Sequence, residues 1–220
     1  MRPGVLIAAV LLVVVHPLAA GERSDREPPE RSSIDMPEGW PAHSLIAADV
    51  GVIRFSDLGR LGDESATGSV ARISTRLGIA GGSYLAIGGE YHWLTDTDPD
   101  LDFGYVRFGV GYQFRIDPSL DVGVELGAQG QIGKEFFGTD RVTEDAEYGR
   151  IWLRSALVGG ATLWTTATLG SDYLGADLRC EWPTRWPALR VGLAAAAGRM
   201  ERAEFWSVSP ALRWSFGPGG

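Results

Sequence analysis

The chain has 220 residues, a formal net charge of -8, 30 glycines, 8 tryptophans and a single cysteine. Cys180 has no partner for an internal disulfide, so the fold must be stable without one. The acidic balance argues against nucleic acid as a partner, because phosphate binding by a protein needs a clustered basic face. The composition excludes both a disordered chain and a disulfide scaffold, and the length suits one domain after an N-terminal leader.

The N-terminus has the three parts of a secretory signal peptide. Arg2 supplies a positive start, residues 5–15 form an unbroken apolar run, and the small residues Ala19, Ala20 and Gly21 follow. The run is shorter than the roughly 20 residues of a spanning helix, so a retained membrane anchor is the poorer interpretation. We expect residues 1–21 to be a signal peptide that is cleaved near Ala20 and Gly21. No cysteine lies near that point, so a lipid anchor is not expected.

The rest of the chain divides into a leader, a patterned domain and a short tail. Residues 22–43 are charged and proline-rich with almost no apolar periodicity, and are expected to be a flexible leader. From residue 44 to residue 217, apolar and polar residues alternate with a period of two, which is typical of β-strands. No stretch of useful length has the apolar spacing of a helix, so this domain is predicted to be all-β. Residues 218–220 form the tail.

Ten strands are predicted in the patterned domain. Most span about ten residues, longer than the usual strand of a soluble sheet and close to the 9–11 residues with which a tilted strand crosses a bilayer. The predicted strands are residues 45–55, 67–79, 84–94, 102–114, 120–132, 148–158, 161–170, 173–182, 188–199 and 204–216.

The two faces of these strands differ in chemistry. In the fifth strand, Val122, Val124 and Leu126 alternate with Asp121 and Glu125, and the third, fourth and eighth strands repeat the division. One face is apolar, and the other is polar or formed by glycine. A membrane barrel directs the apolar face to lipid and the polar face to the lumen. A soluble barrel that binds a lipid inside, as lipocalins do, would require the opposite arrangement.

The connections between the predicted strands are of two kinds. Tight turns follow the second, fourth, sixth and eighth strands, whereas the first three odd-numbered connections are longer and acidic. Short turns at one end and longer loops at the other, with both termini at the short-turn end, are typical of bacterial outer-membrane barrels. The fold class is therefore predicted to be a closed antiparallel up-and-down transmembrane β-barrel of ten strands. The seventh strand alternates poorly and its exit loop is short, so a barrel of eight strands is the alternative.

Aromatic residues near the strand ends are expected to form girdles at the two membrane interfaces. The girdle expected at the short-turn end contains Tyr112, Phe114, Trp182, Trp186, Trp214 and Phe216. The girdle expected at the loop end contains Tyr91, Trp93, Phe103, Phe205 and Trp206.

The chain from about residue 45 to residue 216 resembles the small bacterial outer-membrane barrel proteins of the OmpA and OmpX type. In the last strand, Leu212, Trp214 and Phe216 alternate like the terminal aromatic signature by which such proteins are recognised for membrane assembly. The resemblance implies a location in the bacterial outer membrane, among its lipids and lipopolysaccharide, and the barrel assembly machinery as a partner during insertion. Pro210 lies inside this strand, where a bulge is expected.

If the apolar face meets lipid, the charged side chains of these strands lie in the lumen. Arginine–carboxylate pairs can fill a barrel of eight to ten strands while satisfying one another. The predicted network of lumen ion pairs contains Asp49, Arg72, Arg76, Glu90, Arg107, Asp121, Glu125, Arg150, Arg154, Asp177, Arg179, Glu181, Arg190 and Arg213.

The pattern favours a non-enzymatic outer-membrane barrel with an ion-paired polar lumen and a structural or surface-interaction role. A narrow porin-like channel, with the same charges tuning permeation, is the alternative. A hydrolase at the extracellular rim is a further alternative, in which His92 beside Glu90 acts as acid or base, although no nucleophile motif accompanies it.

Three further features of the sequence concern ligands. Asp96, Asp98 and Asp100 occupy alternate positions in the second loop and are candidate oxygen ligands for Ca²⁺. The loop at residues 133–147 carries Phe136 and Phe137 among charges, which suits an anchor at the membrane interface or a contact with a partner. No phosphate loop or nucleotide fingerprint is present, so no cofactor is expected. The residues identify no specific partner.

Overall fold

The computed structural model of the protein describes residues 44–56, 65–79, 81–97, 101–133, 146–171, 173–200 and 203–216. The expected signal peptide at residues 1–21, the leader at 22–43 and the tail at 218–220 lie outside the described residues. Most of the loop at residues 133–147 lies outside them too.

The described residues form ten antiparallel strands that close into a barrel, with the first strand paired to the last. The seventh strand, whose alternation is weak in sequence, pairs along its length with both of its neighbours. The prediction of a closed up-and-down barrel is confirmed, with ten strands rather than eight. The strands are β1 (Ser44–Ser56), β2 (Ser65–Gly78), β3 (Ser83–Leu94), β4 (Leu101–Asp117), β5 (Leu120–Gly133), β6 (Ala146–Ala156), β7 (Thr162–Gly170), β8 (Tyr173–Pro183), β9 (Leu189–Met200) and β10 (Ala203–Phe216).

Short turns join the strands at the end of the barrel where β1 begins and β10 ends. Gly159 and Gly160, in a short 3₁₀ turn between β6 and β7, both have φ of 77°. This left-handed backbone favours glycine. The turn begins at Val158, so β6 ends at Ala156 and not at residue 158 as predicted. No helix in the described ranges has the length and apolar character needed to span a membrane.

Alternation along the strands directs apolar side chains outward and polar side chains inward. In β5, Val124 and Leu126 are exposed on the outer surface, whereas Asp121 and Glu125 are almost completely buried inside. The outer surface of the neighbouring strands carries the same kind of residue, for example Phe108 and Ile151. The faces are therefore those of a barrel that meets lipid, not the inverse arrangement of a soluble lipid carrier.

The expected bulge at Pro210 is wrong. On the β1 side, Asp49 pairs with Ala211 and Val52 pairs with Val208, so the register is the same on both sides of the proline. The ladder is interrupted there without an inserted residue, because Pro210 lacks the N–H that pairing needs. Gly51 keeps the strands close at this point, since an added Cβ would lie 2.1 Å from the Val208 carbonyl oxygen.

Two of the aromatics expected in the girdle at the loop end lie inside the barrel instead. Phe103 and Phe205 are buried, whereas Trp93 and Trp206 are exposed on the outer surface. The reason is parity, because Phe103 lies four residues before Arg107 on the same strand and therefore shares its lumen face. Position near a strand end does not by itself place an aromatic residue on the outside.

The outward face leads to a first prediction. Leu126 lies at the middle of β5 with its side chain exposed, so Leu126→Arg is expected to lower the free energy of unfolding in phospholipid vesicles by about 2–4 kcal/mol, the usual cost of arginine on lipid at the midplane. Urea titration followed by tryptophan fluorescence measures the loss. Val158→Arg, in an exposed turn, is the control and should change stability by no more than about 0.5 kcal/mol. Equal effects of the two variants would refute a lipid-facing β5.

Candidate functional site in the barrel lumen

The inward-facing side chains form three layers that follow one another from the loop end to the short-turn end. The first, which we call the apolar plug, contains Ile53, Phe55, Ala66, Val70, Leu94, Phe103, Tyr105, Tyr173, Ala196, Met200, Ala203 and Phe205. The second, the ion-pair layer, contains Asp49, Arg72, Glu90, Arg107, Glu125, Arg150, Asp177 and Arg179. The third, the aromatic–arginine layer, contains Arg76, Tyr84, Trp152, Trp164, Glu181 and Arg213.

Asp49 links three strands across the ion-pair layer. Its carboxylate accepts hydrogen bonds from Arg72 Nη1 at 3.1 Å and from Arg179 Nη2 at 2.8 Å. Arg72 also donates to Ser207 Oγ at 2.6 Å, and its Nε lies 3.6 Å from Glu90 Oε2. Charges removed from water in this way are stable only when they are paired, so Asp49 holds β1, β2 and β8 in one arrangement.

Glu90 and Glu125 continue the ion-pair layer around the wall. Arg107 Nη2 lies 3.3 Å from Glu90 Oε1, while Arg107 Nε donates to Gln129 Oε1 at 3.1 Å. Glu125 accepts a hydrogen bond from the Tyr148 hydroxyl at 2.7 Å, and Arg150 Nη1 lies 3.3 Å from the same oxygen. The layer therefore combines ion pairs with neutral donors and acceptors, as buried charged groups require.

Two further carboxylates lie nearer the short-turn end. Asp121 meets Arg115 Nε at 3.0 Å and Arg154 Nη1 at 2.6 Å. Glu181 meets Arg213 Nε at 2.6 Å, and Trp164 Nε1 donates to the same oxygen at 3.2 Å.

Three of the predicted network residues have no ion pair within 4.0 Å in the described part of the chain. Arg76 lies over the Trp152 ring, 4.1 Å from its centroid, in a cation–π contact. Arg190 donates to the Gly160 carbonyl oxygen at 2.8 Å. Asp177 lines a central cavity of about 130 Å³. Each of the other predicted residues of the network forms an ion pair within 4.0 Å.

The apolar plug closes the loop end of the lumen. Phe55 lies at its centre, with ring centroids 5.8 Å from both Phe103 and Phe205. Every residue of the plug is less than a tenth exposed. An inward-facing apolar cluster of this size does not follow from a polar-in, apolar-out pattern, and it occupies the lumen near the loop end.

Among known proteins, similarity to this chain is found in solved structures. No protein-family model and no curated protein matches the sequence. Among solved structures, the chain is similar to Neisserial surface protein A, with 14% identity, a TM-score of 0.40 and coverage of 79% of this chain and 97% of that one. It is also similar to Ail, the attachment invasion locus protein of Yersinia pestis, with 14% identity, a TM-score of 0.36 and coverage of 80% and 100%. An outer-membrane channel from Pseudomonas putida F1 shows 9% identity, a TM-score of 0.49 and coverage of 87% and 100%.

All three TM-scores lie below 0.5. At such identities the similarity extends no further than the fold, and the architecture of this chain rests on its own strand register.

His92 is buried among the residues of the apolar plug rather than at a solvent-exposed rim, and it pairs across the sheet with Val70 and Phe103. Its side chain is 1% exposed and its ring stacks on Phe103 with centroids 4.7 Å apart. Its Nε2 lies 3.5 Å from Glu90 Oε1. The imidazole is therefore beside Glu90, as expected from the alternation of β3, and it is enclosed by apolar plug residues.

The candidate calcium ligands are only partly within the described residues. Asp98 and Asp100 lie outside them. Asp96 accepts a hydrogen bond from the Thr67 backbone N–H at 2.6 Å, which joins the β3–β4 loop to β2. Among the described residues, no group of three His, Cys, Asp or Glu side chains is arranged to hold a metal ion.

Glycines opposite large aromatics are a feature of the lumen that the sequence reasoning missed. Trp152 pairs across the sheet with Gly123, where an added Cβ would lie 2.1 Å from the indole ring. Tyr84 and Gly111 are paired in the same way, with 2.2 Å between such a Cβ and the phenol ring. The glycines leave room for each ring to lie flat against the wall. The signal that could have identified these pairs is the register of glycines and aromatics on inward positions of adjacent strands.

Proposed function

We propose that this protein is a non-conducting barrel of the bacterial outer membrane with a structural or surface-interaction role. The observation that carries the proposal is the apolar plug, because nearly fully buried side chains fill the loop end of the lumen. Beneath the plug, every charged residue of the ion-pair layer except Asp177 has an oppositely charged partner within 4.0 Å. A lumen filled in this way leaves the loops as the surface for interaction.

The outer surface and the termini support the location. Exposed apolar side chains cover the outside of the strands, and exposed tryptophans such as Trp93 and Trp214 lie towards its two ends, as in transmembrane barrels. In such barrels the short turns face the periplasm and the longer loops face outward. The signal-like segment at residues 1–21, with cleavage near Ala20 and Gly21, provides the export route in this proposal.

The proposed partners follow from the same location. Outer-membrane lipids and lipopolysaccharide would cover the apolar outer face. The barrel assembly machinery would recognise β10, whose outward-facing Leu212 and Trp214 are exposed near its C-terminal end.

The burial of His92 supports a non-enzymatic role. The hydrolase hypothesis required an acid or base that a substrate can reach at the extracellular rim. With its imidazole 1% exposed and stacked on Phe103 within the plug, His92 is not placed to meet such a substrate. A general acid or base must lie within hydrogen-bond reach of its substrate, so this residue does not support an activity at the rim.

A narrow channel is the second candidate, and one observation favours it. The described residues line a cavity of about 130 Å³ in the ion-pair layer and another of about 140 Å³ at the short-turn end. Leu45, Arg76, Trp164 and Arg213 line both of them. Movement of these side chains would join the cavities, and the plug would then separate them from the loop end.

Conductance distinguishes the two candidates. The refolded mature protein in planar lipid bilayers is expected to give no discrete current steps, because the plug occupies the lumen. The triple variant Phe55→Ala, Phe103→Ala, Phe205→Ala removes the centre of the plug and is expected to give discrete openings. Heat-modifiable mobility on gels reports whether each variant has folded.

Trp206→Ala, which removes an exposed aromatic from the outer surface near the same end, is the control and should remain silent. Discrete steps from the unmodified protein would overturn the proposal in favour of the channel. A folded triple variant that stays silent would show that the plug is not the barrier.

A further inference from the structure

A basic cavity, which we call the vestibule, lies at the short-turn end of the lumen. Its volume is about 140 Å³, and Pro187 from the β8–β9 turn lies on its wall, so it is next to the opening at that end. Its lining contains four arginines and a single acidic residue, in contrast to the balanced ion-pair layer above it. The charged residues of the lining are Arg76, Asp121, Arg154, Arg190 and Arg213.

Two of these arginines are not neutralised by a carboxylate within the described residues. Arg154 and Arg213 each have a carboxylate at 2.6 Å, from Asp121 and Glu181. Arg190 uses only Nη1 in its hydrogen bonds, to Gly160 O at 2.8 Å and Thr162 Oγ1 at 3.5 Å.

Arg76 makes no hydrogen bond to the described residues, and its guanidinium lies over the face of the Trp152 ring. A guanidinium carries five N–H donors. Most of the donors of Arg76 and Arg190 therefore have no protein acceptor in the described ranges, although both side chains line the same cavity.

We propose that the vestibule binds a small, water-soluble phosphate-bearing anion. Guanidinium groups match phosphate oxygens in paired hydrogen bonds, and arginine is the preferred residue for this recognition. A phosphate group carries a charge of about -1.5 to -2 near neutral pH, which suits two arginines without carboxylate partners. The lining residues face the lumen and not the lipid, so the ligand comes from solution.

The size and closure of the vestibule limit the ligand further. A cavity of about 140 Å³ has room for several water molecules, and therefore for inorganic phosphate or a single phosphate group. Leu45, Arg76, Trp164 and Arg213 line both this cavity and the central one, and so form the partition between them. Because the apolar plug closes the far end, the anion enters and leaves on the short-turn side.

Isothermal titration calorimetry with inorganic phosphate tests this site. The mature protein is refolded in a zwitterionic detergent and titrated at low ionic strength, where exposed charges are least screened. Saturable binding of one phosphate per barrel is expected. Arg190→Gln and Arg76→Gln should each weaken the affinity about ten-fold or more, since each removes charge-assisted hydrogen bonds to the anion.

Arg185→Gln is the matched control, because Arg185 is exposed on the β8–β9 turn at the same end but does not line the vestibule. It should bind phosphate like the unmodified protein, and heat-modifiable gel mobility should show that all three variants are folded. The proposal is overturned by the absence of saturable heat, or by unchanged affinity in both lining variants. It is equally overturned if acetate binds as tightly as phosphate, because the site would then not distinguish a phosphate group from a carboxylate.

Discussion

Replacing Asp49 by alanine is expected to lower the free energy of unfolding by about 3–5 kcal/mol, the usual cost of removing one partner of a buried ion pair. The Asp49 side chain is 1% exposed and lies 3.1 Å from Arg72 and 2.8 Å from Arg179. Arg72 keeps its contacts with Glu90 and Ser207 in the variant. Arg179 has no second carboxylate within 4.0 Å in the described ranges, so its guanidinium loses its partner inside the lumen.

Urea titration of the barrel in phospholipid vesicles measures this loss. The control Glu147→Ala removes an exposed carboxylate from β6 and should change stability by no more than about 0.5 kcal/mol. The double variant Asp49→Leu, Arg179→Leu should recover part of the loss, because it leaves no stranded charge at this pair. If Asp49→Ala is as stable as the control variant, the ion-pair layer does not hold the barrel together.

Much of the fold could be predicted because strand geometry is periodic. Side chains alternate between the two faces of a strand, so Asp121 and Glu125 on one parity and Val124 and Leu126 on the other fix the orientation of β5. Turn glycines and loop lengths then give the number of strands and the end at which the termini meet. Even β7, with its run of threonines, forms a full strand because β6 and β8 supply pairing on both sides.

The pairing of charges inside the lumen could be predicted only where it is local. Arg72 and Glu90 are direct cross-strand neighbours, so the register of β2 and β3 is enough to bring them together. Asp49 and Arg179 belong to β1 and β8, which β9 and β10 separate, and their 2.8 Å contact depends on the curvature of the closed wall. No spacing along the chain contains that information.

The apolar plug escaped prediction for a different reason. Ile53, Phe55 and Leu94 have the parity of the lumen face, yet they are apolar, so the rule that polar residues point inward does not identify them. Parity alone would have placed Phe103 and Phe205 inside, but their positions near strand ends suggested a girdle. Both rings lie inside because burial of their apolar surface away from water stabilises the closed end of the barrel.

The aromatic–arginine layer provides the second large effect. Trp152→Ala is expected to lower the free energy of unfolding by about 3–5 kcal/mol, the range for a buried tryptophan replaced by alanine. The indole is 1% exposed, lies over Gly123, and donates from Nε1 to the Tyr84 hydroxyl at 2.8 Å. The Arg76 guanidinium covers it at 4.1 Å, so the variant removes packing, a hydrogen bond and a cation–π contact together.

The same urea titration measures this loss, with Trp186→Ala as the control. Trp186 is exposed on the β8–β9 turn and contacts Arg185 in a comparable cation–π geometry, so its removal should cost no more than about 1 kcal/mol. The cation–π contact is lost in both variants, so their difference reports the buried packing of Trp152 together with its hydrogen bond to Tyr84. If both tryptophans cost the same, that packing and hydrogen bond contribute no net stability.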